Sequence, residues 1–222
     1  MLGNRHLIDF TIEAAKKAKS LDYFLVSTDD DEIAKVSREC GASVPFKRPA
    51  KISEDIDSVY ALRHALEWYE RRKKKQVSHI VCLQPTSPFK KSQDIDRCVQ
   101  LAKRTGADTV ITIAQAKQHP MWCFEMNQFT QRLQPFIDIR LGGDNLVWQN
   151  LPLVFYPNGA VYVTRRDMIL DGRIFGDKIH GVLTPQERSL DLEEHLDFIV
   201  ASALLPIIQK GEPLLKTSWL DA

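Results

Sequence analysis

The fold class predicted for this chain of 222 residues is an open, mainly parallel α/β sheet with helices on both faces. Three observations predict it. Short apolar runs rich in β-formers alternate with segments of helical period three times in the first half of the chain. The run Ser78-His79-Ile80-Val81-Cys82 passes through a rigid polar turn into a helix, the arrangement that sets ligand groups at the carboxyl edge of a parallel sheet. A composition 44% hydrophobic suits one globular domain over residues 1–222 with a substantial core.

In chain order, Leu7, Ile8, Ile12, Ala15 and Ala18 recur at helical spacing, so a helix begins near His6. Residues 21–27 (LDYFLVS) read as a strand, followed by a helix over 32–40 that Gly41 can end. Between them lies the acidic run Asp29-Asp30-Asp31, which a helix N-terminus stabilises without any ligand. Pro45 and Pro49 keep 44–48 a short extended piece. A helix follows from 57 or 58 to 72, with His64 on its packed side and the basic run Arg71 to Lys75 at its cation-favouring end. Next come a strand over 78–82, a helix over 92–105 and a strand over 107–113.

From Gln115 the pattern changes. Residues 121–126 and 133–136 read as a hairpin closed near Asn127-Gln128, and 137–153 has no clean period. Trp148, Leu151, Leu153, Val154 and Phe155 supply more apolar surface than a solvated loop needs, so 115–157 is expected to be an arm packing on a second subunit. Strand pattern returns at 158–163. A short helix over 166–170, an edge strand over 179–183 and a helix over 192–209, with Pro206 kinking or interrupting it, complete the chain.

Between strand 78–82 and helix 92–105 stands Leu83-Gln84-Pro85-Thr86-Ser87-Pro88. Gln84, Thr86 and Ser87 can hydrogen-bond a ligand without bringing charge, or can cap backbone groups in a purely structural turn. Asp191 and Glu193, two residues apart before the last helix, can share a hard cation such as Mg²⁺ through oxygen ligands. Asp191 with Glu194 also fits a capping box, and both readings stand. The formal net charge of +1 gives no global reason to expect nucleic acid or membrane binding. Cys40, Cys82, Cys98 and Cys123 have no metal-ligand spacing and are expected to be free thiols in a reducing compartment. With no membrane-spanning run and no signal-peptide zones, the expectation is a cytoplasmic protein.

Six motifs in order carry a family resemblance: Val26-Ser27-Thr28-Asp29-Asp30, Phe46-Lys47-Arg48-Pro49-Ala50, the Leu83 to Pro88 turn, Gln149-Asn150-Leu151-Pro152, Pro157 through Val163, and Ser189-Leu190-Asp191-Leu192-Glu193. Together they resemble the acylneuraminate cytidylyltransferases, the CMP-sialic acid synthetases, with their legionaminic- and pseudaminic-acid relatives. The resemblance implies a Rossmann-like nucleotidyltransferase fold with a dimerisation arm and a homodimer. It also implies CTP and Mg²⁺ acting on an acidic nine-carbon keto sugar. By position, Arg48 resembles the arginine beside the cytosine, and Gln84, Thr86 and Ser87 resemble the nucleotide-and-sugar turn. Asp191 resembles the first carboxylate of an Asp-x-Asp metal pair whose second member is here Glu193. Asp191 and Gln84 are the expected catalytic residues, with Asp29 at the nucleotide end and Gln149 and Asn158 on the sugar side.

Where the family has arginines, this chain has Trp148 and Tyr156, and Asp55-Ile56-Asp57-Ser58-Val59 replaces a hydroxyl-rich stretch. Neither Trp nor Tyr makes a bidentate contact to an oxyanion. The family also opens on a strand and a Gly/Ser/Lys loop ahead of the match to Leu2-Gly3-Asn4-Arg5, so the expectation is an N-terminally truncated chain whose neighbouring strands lack a partner. A non-catalytic homologue that binds a nucleotide sugar, or pairs with an intact synthetase, is the alternative function.

Overall fold

The structure is a computed structural model that describes residues 1–53, 57–137 and 150–211. In chain order its elements are α1 (Leu7–Lys17), α2 (Asp31–Glu39), α3 (Val59–Lys73), β1 (His79–Cys82), α4 (Ser92–Thr105) and β2 (Thr109–Gln115). There follow β3 (Phe124–Met126), β4 (Leu133–Pro135), β5 (Phe155–Arg165), α5 (Arg166–Leu170), β6 (Ile179–Leu183) and α6 (His195–Lys210). The chain divides into two compact units, one of Met1–Ile113 with Pro157–Ala222, the other Ala114–Tyr156.

Local chemistry sets the helix ends. Asp30 caps α2 by accepting from Ile33 N at 2.8 Å, which takes one member of the acidic triplet. Gly106, at φ 60°, closes α4, and Gly211, at φ 74°, closes α6. Pro206 lies inside α6 without ending it. That helix starts at His195, three residues later than expected, because Asp197 rather than Glu194 closes the box. Its Oδ2 accepts from Glu193 N at 2.9 Å and Glu194 N at 2.8 Å. The Asp191–Glu194 box is therefore absent, and Asp191 is released from capping.

The first unit holds a four-stranded sheet in the order β1-β5-β2-β6. It corrects the expectation of a mainly parallel sheet. β2 and β6 are parallel, Thr109 facing Ile179 and Ile113 facing Leu183. β1 and β5 are antiparallel, His79 facing Arg165 and Cys82 facing Tyr162. Against β2, Arg165 N donates to Asp108 O while Val161 pairs with Thr112 further along, so β5 runs against both neighbours. Parallel neighbours need a crossover, usually helical. Among the described residues no α-helix lies between β2 and β5, so the chain re-enters the sheet in the opposite direction.

Helices cover both faces, as expected. On one face Ala14 of α1 and Ile95, Cys98, Val99 and Ala102 of α4 pack on Val110, Val161, Val163 and Val182. On the other, Val59 and Leu66 of α3 and Ile169 of α5 enclose Ile80. Successive strand residues point to opposite faces, so Val81 joins the first cluster and Ile80 the second. α6 packs Phe198, Ala201, Leu204 and Leu205 against Leu2, Phe89 and Leu192.

Residues 21–27 form no strand, with a bend at Asp22, correcting a second expectation. Among the described residues their one backbone–backbone hydrogen bond is Val26 N to Ser43 O at 2.9 Å. β-forming residues are not enough for a strand, since a ladder also needs a partner. An open cavity of about 350 Å³ borders the segment, lined by Ala15, Leu21, Tyr23, Phe24 and Ser43 among others.

The second unit carries the antiparallel β3–β4 hairpin, with Phe124 facing Pro135. Asn127 Oδ1 turns the chain by accepting from Phe129 N and Thr130 N, and Gln131 takes a left-handed φ of 57°. Met121 N donates to Nδ1 of buried His119, leaving Nε2 to donate to Pro152 O at 3.0 Å.

Candidate active site

The turn between β1 and α4 is the centre of the site. Pro85 and Pro88 have no N–H, so within the turn only Ser87 N closes back on Gln84 O, at 3.3 Å. The missing donors come from elsewhere. Lys90 Nζ donates to Gln84 O at 2.7 Å, to Ser87 O at 2.5 Å, and to Thr11 Oγ1 of α1 at 3.0 Å. Lys90 is only 5% exposed. Burial disfavours its charged form and brings its pKa down to about 7, with Cys82, Asp191 and Asp94 pulling it back up.

The acidic segment is fastened to this turn. Leu192 N donates to Thr86 O at 2.9 Å, and the Leu192 side chain is buried beside Phe89 and Ala201. On one side of that anchor, Asp191 Oδ1 accepts from Ser87 Oγ at 3.2 Å. On the other, Glu193 is exposed. The stretch thus sets the Asp191 carboxylate against the turn and leaves Glu193, two residues on, exposed. Gly159 explains how Asp191 approaches so closely. It sits at φ 75°, and a Cβ there would run into the Asp191 carboxylate and Ser87 Oγ.

Behind Asp191 lies a buried polar relay. Ser87 Oγ shares its one proton between Asp191 Oδ1 and Asn158 O, the latter at 3.1 Å, and Asn158 Nδ2 donates to Thr184 Oγ1 at 2.7 Å and Ser189 Oγ at 2.9 Å. Asn158 is 1% exposed and Ser87 0%. Both were expected to meet a ligand. The structure turns their polar atoms inward instead, because the core beneath the turn must satisfy its own donors and acceptors. Gln84 and Thr86 are half-buried, and among the described residues their side chains make no hydrogen bond, so they remain available.

Arg48 and Asp29 come together as a pair. Arg48 Nη2 meets Asp29 Oδ1 at 2.8 Å and Nε donates to Ser53 Oγ at 3.0 Å. The guanidinium hydrogen bond holds the Asp29 carboxyl below the usual carboxylate range. Gln149 lies outside the described residues, as do Trp148 and residues 54–56. Tyr156 belongs to the second unit.

Sequence reading missed Lys90 and the Asp94 anchor. Asp94, 2% exposed, opens α4 by accepting from Lys91 N and also binds Arg188 and Arg97. Burial alone would raise its pKa, but Arg188, that backbone bond and Arg97 together hold it low. Among the described residues no group of three or more metal-binding side chains forms a cage. A Mg²⁺ ion that keeps its waters and takes phosphate oxygens needs only one or two carboxylates, so Asp191 and Glu193 fit that mode. Among the described residues no helix is long and apolar enough to cross a membrane.

Comparison with known proteins gives a consistent picture. A family described as cytidylyltransferase matches residues 1–133. A CMP-N,N'-diacetyllegionaminic acid synthase of Legionella pneumophila is 26% identical over 95% of this chain and 90% of its own length. An N-acylneuraminate cytidylyltransferase of Streptococcus agalactiae is 27% identical over 89% of this chain, which spans about half (46%) of that longer relative. The fold is similar to that of a CMP:2-keto-3-deoxy-manno-octonic acid synthetase solved with CTP, at TM-score 0.61 and 12% identity over 92% of this chain and 88% of that one. A 4-diphosphocytidyl-2C-methyl-D-erythritol synthase of Anaerococcus prevotii matches at TM-score 0.63 and 12% identity, over 93% and 88%.

Two predictions come from this geometry. Between about pH 7 and the thiol range near 8.5, the unfolded chain holds a proton that folded Lys90 lacks, so stability rises with pH. Higher up, Cys82 and Cys98, pushed to about 11 and about 12 by burial, keep protons that the unfolded chain releases, and stability falls. Denaturant titrations across this range should show the rise, and Lys90→Met should flatten it. Gly159→Ala should displace Asp191 and lower the melting temperature by several degrees, on the order of 1–3 kcal/mol.

Proposed function

Since the chain belongs to the cytidylyltransferase family, we propose that it activates a sialic-acid-like nine-carbon keto acid with CTP, giving the CMP-sugar and pyrophosphate. The observation that carries this reading is the stitch between turn and acidic segment. Leu192 N on Thr86 O and Ser87 Oγ on Asp191 Oδ1 hold a carboxylate against a polar turn whose Gln84 and Thr86 side chains stay free. The relatives described above, a CMP-N,N'-diacetyllegionaminic acid synthase and an N-acylneuraminate cytidylyltransferase, support the choice of sugar.

In this mechanism the anomeric hydroxyl oxygen of the sugar acid bonds to the α-phosphorus of CTP while the bond to the pyrophosphate oxygen breaks, and the hydroxyl proton passes to water. Arg48, held by Asp29 and Ser53, lies beside the cytosine and orients it. Gln84 and Thr86 donate and accept at the nucleotide and sugar, which places the two reactants for in-line transfer. Ser87 acts from behind, fixing Asp191, and Asn158 fixes Ser87 in turn. Asp191 and Glu193 would hold Mg²⁺, which would neutralise charge on the phosphates and the leaving group. Gln149 is assigned to the sugar side.

The second unit is proposed to join two copies of the chain. Trp122, Phe124, Met126, Phe129, Leu133 and Phe136 are all exposed by 40% or more, Phe129 by 99%. So dense an apolar display marks an interaction surface.

Pyrophosphate release on mixing the protein with CTP, Mg²⁺ and a panel of nine-carbon keto acids tests the activity. Turnover with at least one acid is expected, falling about 100-fold or more in Asp191→Ala. CTP binding without release from any acid would favour the non-catalytic alternative. Light scattering after size-exclusion chromatography should give a dimer mass, and Phe129→Ser with Leu133→Ser should shift it to the monomer.

A further inference from the structure

We propose that Lys90 is a positioning residue, holding the 84–87 turn in the shape that presents Gln84 and Thr86 and seats Asp191. The role rests on the functional reading above, in which this turn receives the nucleotide. Lys90 touches neither nucleotide nor metal in that reading. It acts through the backbone.

The argument begins with donors. Two prolines strip the turn of N–H groups, and its one internal bond is long, at 3.3 Å. The prolines restrict the backbone on either side of Thr86 and Ser87, but the turn's own donors leave the carbonyls of Gln84 and Ser87 poorly satisfied. The Lys90 amino group supplies what is missing, reaching Gln84 O and Ser87 O together and tying both to Thr11 of α1. All three of these partners are neutral. Taking a lysine amino group wholly out of water for neutral partners is unfavourable, and an apolar side chain would fill the space more cheaply. What an apolar residue cannot do is bind two converging carbonyls at once. Ser87 is thereby held at both ends, its carbonyl by Lys90 and its hydroxyl between Asn158 O and Asp191 Oδ1. One buried amino group thus governs both the nucleotide-facing and the metal-facing side chains.

Calorimetric titration of CTP with Mg²⁺, and of Mn²⁺ alone, into wild type and Lys90→Met tests the role. Both affinities should fall about tenfold in the variant while its circular dichroism spectrum is unchanged. Arginine at this position (Lys90→Arg) should recover part of the loss. Ser87→Ala should weaken Mn²⁺ binding in wild type and cost nothing further in the Lys90→Met background. Independent losses there would point to general loosening and overturn the role. If wild type binds CTP and Lys90→Met binds it equally well, the role alone fails. If wild type does not bind CTP, the functional reading fails and takes the role with it. Should Lys90→Met not fold, Thr11→Val carries the test through the same titrations. A drop of about threefold supports the role, and unchanged affinity overturns it.

Discussion

A single main-chain hydrogen bond, from Leu192 N to Thr86 O, joins the two halves of the site. The residues it connects are more than a hundred positions apart, on a turn after β1 and on an extended stretch before α6. Around it the rest is consistent with necessity. Leu192 has to be apolar to anchor the stretch, so the polar groups must stand at 191 and 193. Position 159 has to lack a Cβ, or the carboxylate has nowhere to go. The core beneath has to be polar enough to fix Ser87, hence Asn158, Thr184 and Ser189.

The same constraint separates residues that touch a ligand from residues that prepare the contact. Gln84, Thr86 and Glu193 project free groups. Ser87 and Asn158 spend theirs on one another and on the core, though by type all five look equally suited to binding. Buried hydroxyls and amides seldom go unpaired, and pairing uses the valence that a ligand would need. Motif membership therefore marks a residue as part of the site without saying which way it faces.

Much of the architecture was legible from periodicity. α4 falls where its apolar spacing put it, as do α5 and the edge strand β6. These elements depend on local pattern and on burying one face. Strand direction was not legible, because apolar alternation is the same read either way, and only the connection between β2 and β5 decides it. The start of α6 was missed for a similar reason. Glu194 and Asp197 compete with Asp191 for one capping task, and the winner depends on where Leu192 is pulled. Lys90 was invisible because nothing in the spelling of the turn distinguishes a solvated lysine from a buried one. The count of prolines was the signal that could have found it, since a turn without donors must borrow them.

Segment 21–27 leaves most of its main-chain groups outside any ladder, and β1 beside α3 pairs with β5 alone among the described strands. Amide protons in both places lack the shelter of a second neighbour, so deuterium should enter there long before it reaches β2 in the middle of the sheet. Such an edge also offers a template to any extended peptide that meets it, a liability that grows with protein concentration.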